Sequence, residues 1–439
     1  MAILKVLLKQ HTPMIHFQYD QFGASLRATE LKPKFDKYLI KKFKEQDITY
    51  KPWLIGNEEH QPLNYKIKIR TEDSESFIIR EGRNNQYGFF FGTIGEEYAK
   101  NPKGLTFTYK GIELEFISFS SELLDLIKNN VCYFFQTNNF GTRQSKGFGS
   151  FSVVMQSIGN KEIIGEFNEK IYKTYFDLNI PINTDWVEKY KFISSKMNLL
   201  YKAIRSGIND KKKIKDTFVD VFYFKSLMFL FAKNVYKAQW EKKTIKENFY
   251  PNSKILLHNN KELYFPNRLD EQQIARPESD ALNYSSKNKY LFKDLLGLAS
   301  EEAWFSYGRD TISKKQAKSI NNNRWIAVDK KDSTFQRFKS PILFKPILLN
   351  EKTIRVNIFL DQESLDNALK ENKHFMIENS RGNKFHIQYP NNFSLNDFFD
   401  FFLDKTKFDI STHVEEGFHT EEVYQTLKNI FEQMVTNKK

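Results

Sequence analysis

The segment Asn139-Phe140-Gly141-Thr142-Arg143-Gln144-Ser145-Lys146-Gly147-Phe148-Gly149-Ser150-Phe151 carries the most suggestive chemistry in the chain. Three glycines, Gly141, Gly147 and Gly149, bracket Arg143 and Lys146, and an aromatic residue separates the last two glycines. Glycine admits positive φ and lets backbone amides approach an anion with no Cβ in the way. An arginine and a lysine on the same loop add donors that suit phosphate oxygens. The spacing is not that of a Walker loop, because no Gly-Lys-Ser/Thr follows, and it does not fit the dinucleotide fingerprint. The same residues also suit a plain glycine-rich hairpin between two strands.

The rest of the composition narrows what this loop serves. With 67 Lys and Arg against 54 Asp and Glu, the chain carries a formal charge of +13, which favours polyanionic partners. Much of the excess falls in Val187–Lys254, where 16 Lys and Arg face 6 Asp and Glu. The run Lys211-Lys212-Lys213-Ile214-Lys215 lies there, read either as a solvated loop or as a nucleic-acid contact. The most apolar stretch, Phe218–Ala232, is interrupted by Asp220 and Lys225 and falls short of the roughly 18–20 residues of a membrane span. Lys5 and Lys9 break up the N-terminal apolar run, so no secretory signal is expected. The lone Cys132 forms no internal disulfide, and no Cys/His spacing suggests zinc. The expectation is a cytoplasmic protein with no metal, no cofactor and no membrane partner.

Positioning these residues requires elements that the hydrophobic pattern outlines. A chain of 439 residues exceeds the ~150 typical of one domain, so two or three units are expected. Strands are predicted at Ala2–Lys9, Tyr65–Arg70, Ser76–Arg80, Leu105–Phe119 (turning at Lys110-Gly111), Val131–Gln136 and Phe151–Gln156. Helices are predicted at Leu26–Phe43, regular from Pro33, and at Ser121–Asn129. Strand, helix, two strands, helix, strand is the order of a ferredoxin-like (RRM-like) unit. The middle reads as helices, one through Tyr190, Ile193, Met197, Leu200 and Ile204, another over Thr217–Lys243, with the lysine run between them. Further on, strands are expected at Ser340–Leu349, Thr353–Leu360 and Lys384–Tyr389, and helices at Ser364–Lys370, Ser394–Leu403 and Thr420–Val435. The resulting expectation is an α+β protein with two ferredoxin-like domains and a basic helical insertion. The boundaries are residues 1–160 for the domain with the glycine-rich loop, 161–254 for the basic helical region and 255–439 for the second domain.

The Lys146-Gly147-Phe148-Gly149-Ser150 ending of the loop resembles the glycine-rich loop of the RAMP superfamily of CRISPR effector subunits. Three other stretches are similar to that family: His11-Thr12-Pro13-Met14 after the first strand, Gly23-Ala24-Ser25-Leu26-Arg27-Ala28 before the first helix, and Arg337-Phe338-Lys339-Ser340-Pro341-Ile342-Leu343-Phe344-Lys345-Pro346. Within the superfamily these features look most like the first-named subunit of the type III-B Cmr complex. The loop departs from the family where Asn138 or Asn139 stands in place of another frequent glycine.

The resemblance implies two ferredoxin-like domains and a non-catalytic, cytoplasmic RNA-binding subunit of an antiviral ribonucleoprotein. Its partners would be CRISPR guide RNA, target RNA and the other protein subunits. Carried onto this chain, the family's RNA contacts fall on Arg27, Arg143 and Lys146, with Gly141, Gly147 and Gly149 shaping the loop. Lys32, Lys34 and Lys37 join them on charge alone, and surface solvation explains those three equally well. Phosphate contacts carry no sequence information, so base pairing would read the guide and target. Two enzymatic alternatives stay open: metal-dependent target cleavage through Asp20, and guide processing through His16, with His11 placed similarly. A third is a protein-interaction subunit without direct RNA contact.

Overall fold

A computed structural model describes residues 2–15, 25–55, 62–71, 75–79, 103–159, 161–214, 217–249, 255–258, 261–264, 284–298, 301–304, 310–321, 324–327, 339–371, 374–379 and 382–439. The chain divides into two compact units. Unit 1 comprises Met1–Asn198, Leu343–Phe359 and Lys439; unit 2 comprises Leu199–Ile342 and Leu360–Lys438.

In unit 1 the first strand, β1 (Ala2–Gln10), alternates Leu4, Val6 and Leu8 inward with Ile3, Lys5 and Lys9 outward, the period of two expected of a half-buried strand. A short β2 (Met14–Ile15) follows, then helix α1 (Ala28–Glu45). Strands β3 (Lys66–Thr71), β4 (Glu75–Ile79), β5 (Lys103–Phe107) and β6 (Ile112–Ser118) lead into helix α2 (Ser121–Thr137). After the glycine-rich segment come β7 (Phe151–Ile158), β8 (Lys161–Ile164) and β9 (Thr174–Asn179). The main sheet has the order β3-β6-β1-β7-β8, with every neighbouring pair antiparallel. Leu31, Phe35, Leu39 and Phe43 of α1 and Leu124, Ile127, Val131, Phe134 and Phe135 of α2 pack on its inner face, against Leu114 and Phe116 of β6. Each such side chain contributes roughly 1.5–3 kcal/mol by leaving water.

Three expectations change here. The predicted strand Val131–Gln136 is the second half of α2: Val131, Phe134 and Phe135 continue the stripe begun by Leu124 and Ile127 at helical spacing. Ser120 caps that helix, its Oγ accepting from Leu123 N at 3.2 Å, and packing overrides the β propensity of the aromatic run. Helix α1 starts at Ala28, not at Pro33, with Leu31 N donating to Arg27 O at 2.9 Å; exposed Pro33 is accommodated inside it. Leu105–Phe119 is not one hairpin: β5 pairs with β2 and β4, whereas β6 joins the main sheet.

A second small sheet of unit 1 joins distant sequence. Strand Ile342–Leu348 pairs with Thr353–Leu360, which pairs with β9. Arg355 locks this sheet, with both Nε and Nη2 donating to the Asp177 carboxylate at 2.9 and 3.0 Å.

The basic middle region is not purely helical. Helix α3 (Trp186–Arg205) is followed by a hairpin of β10 (Ile208–Ile214) and β11 (Thr217–Phe224), so Lys211, Lys212 and Lys213 lie in a strand. The predicted helix over Thr217–Lys243 reduces to Leu227–Asn234 and Glu241–Phe249. Buried Phe222 and Phe224 flanking half-buried Tyr223 show the two-residue period of a strand, and the cap Ser226 starts the helix anew. Unit 2 carries a sheet ordered Glu301–Trp304, Asp310–Asn321, His374–Asn379, Lys384–Gln388, with Arg324–Ala327 pairing to the second of these. The predicted helices near residues 364, 394 and 420 are observed at Gln362–Glu371, Leu395–Phe402 and Glu422–Thr436.

Candidate functional site

The glycine-rich segment is a tightly braced turn between α2 and β7. Asn139 and Ser150 form a bridge at its base, and Phe140 N donates to Gly149 O at 2.9 Å. Gly149, at φ +62°, has no room for a side chain: a Cβ there would lie 2.0 Å from Phe140 O. At the tip, Arg143 itself adopts the left-handed conformation (φ 58°, ψ 35°) and precedes a single 3-10 turn over Gln144–Lys146. A non-glycine residue held there costs of order 1 kcal/mol and persists only where its surroundings enforce it.

Enforcement comes from three directions. Thr12, after β1, donates from Oγ1 to Gly147 O at 2.7 Å and accepts from Ser150 N at 3.0 Å, while Pro13 O accepts from Gly149 N at 2.9 Å. From α1, Glu30 Oε1 accepts Gly141 N at 2.7 Å, and Lys34 Nζ donates to Asn139 O at 2.7 Å and Gln144 Oε1 at 2.8 Å. From the Ile342–Leu348 strand, Pro346 O accepts Ser150 Oγ at 2.7 Å and Phe344 O accepts Asn139 Nδ2 at 2.9 Å. Asn139 thus uses its side chain to tie the loop to that strand.

The amides of Gly141, Gly147 and Gly149 are all spent on internal acceptors: Glu30 Oε1, Gln144 O and Pro13 O. The glycines thus shape the loop, their own amides being committed within it. Arg143 and Lys146 are both partly exposed. The first turns of α3 form a wall behind them. Phe148 packs on Tyr190 with ring centroids 4.5 Å apart, and Tyr190 Oη donates to Lys146 O at 3.4 Å. Burial holds the Tyr190 phenol well above its ordinary pKa, against the pull of the nearby Arg143 charge, so it stays a neutral donor.

The other expected contacts divide. Arg27 sits at the N-cap of α1, partly exposed, and Lys37 is exposed on the same helix. Lys32 turns inward, donating to Asp36 Oδ2 at 2.7 Å and Leu63 O at 2.9 Å and lying over the Tyr65 ring. Asp20 and His16 lie outside the described residues. His11 is 2% exposed; Leu348 N donates to its Nδ1 at 3.0 Å, which leaves Nε2 carrying the proton toward Ser152 Oγ at 2.7 Å. Burial and the Lys345 charge keep His11 well below the usual histidine pKa, so it is a neutral structural group.

Sequence reasoning missed Lys345. It is fully buried, and its ammonium donates to Asn138 O (2.9 Å), Asn139 Oδ1 (3.0 Å) and Phe151 O (2.8 Å), one acceptor for each proton. Desolvation pushes its pKa well down, while the three oxygens hold the charge in place. The available signal was a lone lysine inside the apolar run Ser340–Asn350. Among the described residues no group of three side chains could hold a metal ion, and no helix is long and apolar enough to cross a membrane.

The family model described as the Cmr1 N-terminal domain matches residues 1–208, and that of the Cmr1 C-terminal domain matches residues 223–431. Among curated proteins, none matches this chain. Among solved structures, a chain of a type III-B Cmr-beta complex bound to cognate target RNA is similar over 38% of this chain and 61% of its own length, at 16% identity and a TM-score of 0.24. The apo crystal structure of Cmr1 from Pyrococcus furiosus is similar over 36% of this chain and 50% of its own, at 14% identity and a TM-score of 0.25. This chain therefore spans less than two thirds of the length of either neighbour.

Proposed function

This chain belongs to the Cmr1 family, and from that premise we propose that it is a non-catalytic, RNA-binding subunit of a type III-B CRISPR effector complex. It holds guide RNA, or the duplex of guide with target, through the ribose-phosphate backbone. Arg143 and Lys146 grip the phosphates, with Arg27 and Lys37 of the α1 region adding charge. Lys32 and Lys34 act as struts that fix α1 and the loop. The glycines contribute shape, not amide donors.

The observation that carries this reading is the strained, multiply braced turn that presents Arg143. Holding a cationic residue at positive φ by bonds from the segment after β1, from α1 and from a strand two hundred residues away fixes the backbone from which Arg143 projects, so less ordering is left to be done when an anion binds. We extend the ferredoxin-like reading to both halves. In unit 1 it is supported by the antiparallel order β3-β6-β1-β7, which follows strand–helix–strand–strand–helix–strand connectivity if the small sheet is set aside as an insertion. In unit 2 it rests on the family resemblance.

The test is the salt dependence of RNA binding by the purified protein. Fluorescence anisotropy with labelled RNA should give log K falling linearly with log salt. The Arg143→Ala/Lys146→Ala protein should show a slope shallower by about 1.4, at about 0.7 for each phosphate no longer neutralised. An unchanged slope removes the loop from the interface. Sequencing of co-purified RNA then tells whether it is guide RNA.

A further inference from the structure

Helix α3 is pinned to the glycine-rich loop by its inward stripe. Tyr190 packs on Phe148, and the Met197 thioether end would lie 2.9 Å from a Cβ at Gly147. Tyr190 and Met197 are seven residues apart, so two turns of α3 run alongside the loop. About 100° round the helix from that stripe lie Lys189, Phe192 and Lys196, at i, i+3 and i+7, a spacing that aligns side chains along one flank. All three are partly exposed. The ammonium of Lys196 lies 5.4 Å from the Phe192 ring centroid, and that of Lys189 lies 5.5 Å from the Trp186 ring. Residues 186–198 contain one carboxylate, Glu188, and Lys191 on the opposite flank pairs with it.

We propose that a single strand of RNA leaving the glycine-rich loop runs along this flank of α3, with a base stacked on Phe192 and phosphates held by Lys189 and Lys196. Cation, aromatic, cation is the alternation that tracks a single strand, because every base offers a π face and every step brings a phosphate. Lys189 directly precedes Tyr190, the residue that packs on Phe148 of the loop. An acidic protein surface would match the lysines but would leave the ring without a planar partner. This inference deepens the RNA-binding reading of the loop and rests on it.

The experiment measures binding of labelled oligouridylate and of a fully paired RNA duplex by the full-length protein. Phe192→Leu keeps the apolar bulk and removes the π face, so folding is preserved. It should weaken oligouridylate binding about fivefold or more, and duplex binding by less than twofold. Lys189→Gln/Lys196→Gln should flatten the oligouridylate salt slope by about 0.7 for each lysine. If the wild type binds and the Arg143/Lys146 variant is weakened while these α3 variants bind normally, the flank is not a track and the loop reading survives. If the wild type binds no RNA at low salt, both readings fall. A Phe192 photo-crosslinker that captures only protein from the purified complex also overturns the proposal.

Discussion

Two cationic surfaces among the described residues of unit 1, the outer face of the main sheet and the glycine-rich loop, are built on different plans. On the outer face of the main sheet, Lys68 of β3, Glu115 of β6 and Lys5 of β1 stand side by side in register, as do Arg70, Glu113 and Leu7. Lys5, Lys68 and Arg70 all lie within 4 Å of Glu115, and Lys5 also reaches Glu113. Those cations are themselves about half exposed, so each pair is worth little, about 0–1 kcal/mol, yet Glu113 and Glu115 together offset two of the three positive charges. At the glycine-rich loop Glu30 accepts a backbone amide, so its carboxylate braces the turn.

The loop's rigidity is the sharper half of this comparison, and its largest expected failure is steric. Gly149→Ala forces a methyl group to 2.0 Å from Phe140 O, a backbone atom with nowhere to go, at φ +62°. We expect a loss of about 3 kcal/mol or more in thermal or urea unfolding, from overpacking plus left-handed strain. Gly147→Ala is the control: its φ is +80°, but its neighbours are the mobile end of Met197 and the Pro346 ring, near 3.0 Å. Equal losses in the two variants would mean that the loop is not braced at its base.

Second in size is Lys345→Met. It removes the ammonium from three carbonyl-type oxygens while keeping most of the side-chain volume. Buried acceptors left unpaired cost roughly 1–3 kcal/mol each, partly offset by release of a buried charge, so a net loss of about 2–3 kcal/mol is expected in urea unfolding. A variant as stable as the wild type would reduce Lys345 to a tolerated burial.

These two positions also show how legible the site was. The glycines and Arg143 stood out because φ > 0 and charge are written locally, in residue type and spacing. The bracing roles of Lys345, His11 and Asn139 were not legible, because their partners lie up to 337 residues away, and no local pattern encodes which backbone group a buried side chain will meet. The same division runs through the fold. The alternation of β1 and the stripe of α1 identified those elements, since each buries one face. The run Val131–Gln136 misled because the aromatic residues that favour a strand also continue the helical stripe of α2. The β10–β11 hairpin was hidden by an apolar run that crosses from strand to helix at Ser226 without a change in composition.

A third expected effect is on pH dependence. His11 keeps a folded pKa well below 6.5, because burial and Lys345 both oppose its protonation. The unfolded chain takes up that proton first, so stability is full above about pH 6.5 and falls as pH drops toward the folded value. The slope is at most about 1.4 kcal/mol per pH unit. Urea unfolding of the wild type and of His11→Gln across pH 7 to 5 should converge as pH falls, since glutamine has no proton to gain. Parallel curves would mean that His11 is protonated in the folded protein.

The smallest expected effect decides between the two cationic surfaces. Lys5→Gln/Lys68→Gln removes two charges from the sheet face and leaves Arg70 to pair with the nearly buried Glu115, so the fold keeps its carboxylate partner. The net charge changes by the same two units as in Arg143→Ala/Lys146→Ala, and any general attraction between a basic protein and RNA falls equally in both. If the carboxylates of β6 already neutralise the sheet face, its variant binds RNA within twofold of the wild type and with an unchanged salt slope, because no condensed counterion is released there. The loop variant alone then loses about 1.4 from the slope. A sheet-face variant that flattens the slope as much as the loop variant would reverse the assignment, since Glu115 would have to release its cations to phosphate.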